Sequence, residues 1–160
     1  MPGPTVVIGI GNEYRLDDGF GHLVVAELAR DPALAEVELR TCDGEPTRLL
    51  DLWTGAELAV VIDVARAESA HVGEWFELVL PGDDRLPDQP AVSSHGVGLG
   101  ATVELGQALG RLPRRLVVLA AIGREFGFGT GLCEPLAAAV GPVARRARRW
   151  ALDADPAPTG

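Results

Sequence analysis

The 160-residue chain contains no lysine, and all fourteen of its cationic side chains are arginine. That absence excludes a Schiff-base lysine and the lysine of a phosphate-binding P-loop. Cysteine is scarce. Cys42 and Cys133 stand in no CxxC or Cys/His spacing, so they read as a reduced pair of small buried side chains. Positive charge is also short: 14 arginines face 23 acids, a net charge of −9. Phosphate backbones need a clustered cationic surface, so this balance argues against a nucleic-acid binder. The one basic run, Arg145, Arg146, Arg148 and Arg149, reads as the wet face of a terminal helix. Long hydrophobic runs are missing too. Thr5–Ile10 is too short for a signal peptide, and nothing approaches a membrane span, so the expected location is cytoplasmic.

What remains is the composition of a soluble globular protein, 47 % hydrophobic and 23 % charged, of a length that suits one domain. We expect that domain over residues 1–152 and a disordered Pro- and Ala-rich tail over 153–160. Apolar β-branched runs alternate with helical patterns. Residues 5–10, 58–65 and 116–122 read as buried strands, and 36–42 and 74–80 as alternating ones. Residues 19–29 read as a helix with Phe20, Leu23, Val24 and Leu28 on one stripe. Further helices are expected over 47–53, with Thr47 as N-cap, over 98–109, and from Glu134 onward with a kink or restart at Pro142. This alternation predicts an α/β fold: a mainly parallel sheet covered on both faces, with the strand at Trp75 as an antiparallel addition. In such sheets, sites lie beyond the carboxyl ends of the strands.

Those ends carry acids and one histidine. Gly9-Ile10-Gly11-Asn12 is followed by Asp17-Asp18-Gly19, the second strand by Asp43-Gly44, and Asp63 interrupts the run Val60–Ala65. Ser93-Ser94-His95-Gly96 precedes a helix. A dinucleotide reading fits Gly9 and Gly11, but Tyr14 occupies the third glycine position, and two carboxylates at the helix start repel a pyrophosphate. Asp17 reads as a helix N-cap worth about 1 kcal/mol. A carboxylate at Asp63, inside an apolar strand, is costly unless paired, hydrogen-bonded or cation-bound. Together Asp18, Asp63 and His95 favour a metal-engaging cluster. A serine hydrolase using Ser93 or Ser94 lacks the GxSxG elbow, and neither cysteine has a cationic neighbour to activate it.

The segment from Gly9 to Gly21, GIGNEYRLDDGFG, resembles the GxGNxLxxDDGxG signature of hydrogenase maturation proteases. Cys42-Asp43-Gly44 with Thr47 and Leu49-Leu50, Val61–Ala65, Ser94–Leu99, and Ile122-Gly123 with Phe128–Leu132 resemble further motifs of that family in the same order, across residues 5 to 150. The resemblance implies a three-layer α/β/α domain with a twisted, mainly parallel, phosphorylase/hydrolase-like sheet. It implies an endopeptidase that removes the C-terminal extension of a nickel-loaded hydrogenase large-subunit precursor. The nickel would be carried by the substrate, not held tightly by the free protein, and be engaged by Asp18, Asp63 and His95 as metal-binding and catalytic residues. The expected partner is that precursor, met by a monomer, with no nucleic acid and no membrane involved. Two departures stand out: Gly44-Glu45-Pro46-Thr47 replaces Gly-Gly-Thr, which puts partner choice in question, and Cys133 replaces a serine, which predicts an altered helix cap. The alternatives are a non-catalytic nickel checkpoint or scaffold on the same fold and, less favoured, a Rossmann-like nucleotide-binding oxidoreductase.

Overall fold

The computed structural model describes residues 3–66, 71–81, 92–93 and 98–153. The chain runs β1 (Thr5–Ile10), α1 (Phe20–Leu28), β2 (Glu38–Cys42), α2 (Pro46–Trp53), β3 (Leu58–Arg66), β4 (Trp75–Leu80), β5 (Val92–Ser93), α3 (Leu99–Leu109), β6 (Arg115–Gly123), α4 (Glu134–Ala137) and α5 (Val140–Leu152). The strands form one sheet in the order β2-β1-β3-β6-β4, with β5 paired to β3. β2, β1, β3 and β6 are mutually parallel, and β4 lies antiparallel on β6 as expected.

The period-2 alternation of the strands sorts the core into two layers. Val7, Val60, Ile62, Val117 and Leu119 join Phe20, Val24 and Leu28 of α1 and Val143, Ala147 and Trp150 of α5 on one face. Val6, Ile8, Ile10, Val61 and Val118 join Leu49, Leu50 and Trp53 of α2 and Val103 of α3 on the other. Each such fully buried side chain contributes about 1.5–3 kcal/mol, which is why both helix layers hold. Leu23, expected on the buried stripe of α1, is instead 46 % exposed.

Three local expectations are corrected. Thr47 does not cap α2; Glu45 does, its carboxylate accepting from the Thr47 and Arg48 amides with Pro46 at the first helical position, the arrangement that best suits proline. Arg146 is not on a wet face. It is 3 % exposed and its guanidinium donates to Glu77 of β4 at 2.6 and 2.9 Å. Asp17 does not cap α1, for the reason given below. Pro142 lies in the first turn of α5, after a break at Ala138 and Ala139, so the helix restarts there.

Candidate active site

The first connection leads from β1 to β2 on one side, and the next leads back across β1 to β3 on the other. The sheet order therefore reverses between β1 and β3, and crevices for ligands open at such a point. Their register pairs Gly9 with Ile62, which sets Asp63 level with Ile10, the last residue of β1.

Glycine lets the helix side close over this point. A Cβ on Gly21 would stand 2.7 Å from Ile10 O and 2.9 Å from Ile62 O, so α1 rests directly on the backbones of both strands. A Cβ on Gly11, whose φ is +141°, would lie 1.9 Å from Asp18 O. These contacts bring the 3-10 turn Leu16–Gly19 over the end of β1. Leu16, which looks unremarkable in sequence, takes a left-handed φ of 51° to enter that turn.

Asp18 is 3 % exposed, and its Oδ2 accepts the Asn12 amide at 3.0 Å. Asp63 is 7 % exposed, and its Oδ1 accepts the following amide, Val64, at 2.8 Å. Alternation along β3 turns Asp63 toward the α2–α3 face, with Ala59 and Val61. The two expected carboxylates are thus both buried, Asp63 within β3 level with the end of β1 and Asp18 in the turn that follows β1. His95 lies outside the described residues. β5 pairs Ser93 with Ala65, two positions beyond Asp63. Among the described residues no three His, Cys, Asp or Glu side chains are gathered to hold a metal ion. Carboxylates are nonetheless suitable ligands for a divalent transition metal.

Asp17, fully buried, has a different task. Its carboxylate accepts the amides of Arg124 (2.7 Å), Glu125 (2.9 Å) and Cys133 (2.8 Å) and the Cys133 thiol (3.1 Å). Burial pushes its pKa up, but the hydrogen bonds from Cys133, Glu125 and Arg124 outweigh that and hold it below the usual aspartate range. Asp17 ties the long glycine-rich loop after β6 to the turn that carries Asp18. Cys133 precedes α4 without a side-chain cap of its own; its sulfur turns to Asp17 instead, and burial and that carboxylate raise its pKa.

Beside the acids runs a cleft of about 540 Å³ whose walls include Gly11, Asn12, His22, Cys42, Asp43 and Arg48. Asp43 accepts the Glu45 amide and pairs with Arg48. The Glu45 amide, then Arg48, holds its pKa below the usual carboxylate range. His22 Nε2 donates to Gly11 O at 2.8 Å, bracing the backbone beside Asn12. Sequence reasoning missed His22 and Arg48. The available signal for His22 was its four-residue spacing from Asp18, which puts both near one face of the turn and helix.

No protein-family model matches the chain, and no curated protein sequence matches it. Solved structures do. An endopeptidase from Escherichia coli superposes with a TM-score of 0.78 at 20 % identity, covering 94 % of both chains. The hydrogenase maturating endopeptidase HybD from Escherichia coli gives 0.73 at 21 % identity, over 90 % of this chain and 89 % of that one. The [NiFe] hydrogenase maturation protease HybD from Thermococcus kodakarensis gives 0.71 at 22 % identity, over 92 % and 99 %. The chain has the fold of the hydrogenase maturation endopeptidases, a single three-layer α/β domain.

Proposed function

We propose that the chain is a hydrogenase maturation endopeptidase that removes a C-terminal extension from a nickel-loaded large-subunit precursor. The observation that carries this reading is the placement of two buried carboxylates, Asp18 in the turn after β1 and Asp63 within the neighbouring β3, where the sheet order reverses. The fold shared with HybD supports it, as do the motifs from Gly9 to Gly21 and from Ser94 to Leu99.

Two aspartates and a histidine are ligand types that suit a divalent nickel ion. In this reading the nickel ion is carried by the precursor. Asp18, Asp63 and His95 then add ligands to an ion the substrate already holds, so a precursor without metal docks poorly. The Asn12 amide keeps one oxygen of Asp18 engaged and its carboxylate aimed. Docking fixes the scissile peptide beside carboxylates able to take a proton from an attacking water. The cleft beside Asn12 and Asp43 is the groove for the extension on either side of the cut.

The test is processing of the cognate nickel-loaded precursor, read as a mass shift. Asp18→Asn, Asp63→Asn and His95→Ala should each lower the cleavage rate by at least about a hundredfold and keep a cooperative melt. Full cleavage by any of the three would remove that residue from the site. Tight, metal-dependent binding by the wild-type protein without cleavage would favour the non-catalytic checkpoint.

A further inference from the structure

Two arginines near the carboxylates in sequence pair with no carboxylate among the described residues. Arg15 donates through Nε and Nη2 to Phe126 O at 3.2 and 3.0 Å, and its guanidinium lies 6.0 Å from the Phe128 ring centre. Arg66 stacks 4.8 Å from the Phe126 ring centre. Neither has a carboxylate partner among the described residues. In contrast, Arg30, Arg48, Arg111, Arg114, Arg146 and Arg148 each pair with one. In a chain of net charge −9 acids are plentiful, yet among the described residues aromatic faces and a carbonyl, not acids, meet Arg15 and Arg66.

The surroundings are apolar and open. Phe128 is 93 % exposed and Tyr14 64 %, the two highest values among large apolar side chains of the described residues. The backbone brings them side by side: the Gly129 amide donates to Tyr14 O at 2.9 Å, and the Leu16 amide to Gly129 O at 3.0 Å. A groove of about 300 Å³ opens next to them, with Leu16, Leu23 and Leu132 in its walls. Exposed aromatics with oriented arginines are the composition of interface hot spots. A guanidinium already oriented by a ring loses little further entropy when it meets a carboxylate.

We propose that Tyr14, Arg15, Arg66 and Phe128 form the docking surface for the body of the precursor, which meets it with an apolar patch bearing at least one carboxylate. This rests on the proposed endopeptidase reading. Arg15 stands two residues before Asp17 and Arg66 three after Asp63. A precursor seated there would present its metal to the carboxylates, and charge pairing would set orientation and capture rate more than the chemical step.

The experiment is steady-state cleavage of the nickel-loaded precursor by the full chain from about 50 to 300 mM salt, a range over which screening weakens exposed ion pairs. For the wild type, KM should rise with salt. The Arg15→Gln/Arg66→Gln double variant should show KM raised about tenfold at low salt, kcat within about twofold, and a flattened salt dependence. Phe128→Ser should raise KM while keeping the salt dependence, and Arg149→Gln, on α5, should behave as wild type. If the double variant melts early, Arg15→Lys/Arg66→Lys, which keeps the charges, should retain the salt dependence. A folded double variant, glutamine or lysine, with wild-type KM and salt response in the first case, or with none in the second, overturns the docking surface alone. A wild-type chain that neither binds nor cleaves the precursor overturns the endopeptidase reading, and the docking surface with it.

Discussion

Asp17→Ala removes one carboxylate and unmakes four hydrogen bonds, three from backbone amides and one from a thiol. A hydrogen bond to a charged group contributes about 1.5–3 kcal/mol, and a buried donor left unmatched keeps its full desolvation penalty. Arg124 and Glu125 are exposed residues, so water can reach their amides in the variant. The amide of the buried Cys133 has no such replacement. The expected loss is about 3–5 kcal/mol, against a total stability of about 5–15 kcal/mol for an ordinary domain. That exceeds the roughly 1 kcal/mol of a lost helix cap. Urea unfolding gives the magnitude, and amide exchange at Glu125 and Cys133 gives the location. The effect has a pH signature. Because the folded state lowers the Asp17 pKa, its contribution is complete above the ordinary aspartate pKa near 3.8 and is lost as pH falls through the lower folded-state value. The stability gap between wild type and Asp17→Ala should therefore be constant from pH 5 to 7, at about the same ~3–5 kcal/mol, and narrow in strong acid. A variant that unfolds at the wild-type urea midpoint, or loses no protection at Cys133, would refute the role assigned to Asp17.

Glu77→Gln should destabilise the protein by about 3–5 kcal/mol by removing the negative charge that faces the buried Arg146 guanidinium, measured as a shift in melting temperature, whereas replacing Glu77 and Arg146 together by apolar residues of similar size should recover much of the loss. Gly21→Ala should cost about 1–3 kcal/mol or more, because its Cβ would press on Ile10 and Ile62 backbone atoms at under 3 Å; a crystal structure of the variant should show α1 displaced from the sheet. Calorimetry with NAD(P) or ATP should give no heat at micromolar concentration, because the Asn12 amide, in the position that would face a pyrophosphate, donates to Asp18; micromolar binding would revive the oxidoreductase reading.

The strands other than β5 were legible because each is a run of β-branched or alternating residues with one pattern from end to end, and β1, β3 and β6 fall within a residue or so of where the pattern puts them. Asp63 was legible because one carboxylate in the run Val60–Ala65 contradicts its surroundings. Asp17 was not. A cap is a local pattern, and its real partners, Arg124, Glu125 and Cys133, are more than a hundred positions away in sequence. Arg146 was misjudged for the same reason: its neighbours in sequence are exposed arginines, while the acid that draws it inward sits on β4. Glu45 as the cap of α2 could have been read from an acid directly before a proline. The two-residue β5 has no periodicity to read, and His95, which follows it in sequence and lies outside the described residues, rests on the sequence reading.

The most direct measurement of the central claim is wild-type processing of the cognate large-subunit precursor prepared with and without nickel, read by intact-mass spectrometry. The account predicts loss of a C-terminal peptide from the nickel-loaded precursor only, with Asp63→Asn leaving it whole. Equal cleavage of the metal-free precursor, or a nickel-loaded precursor left intact by the wild-type chain, would contradict it.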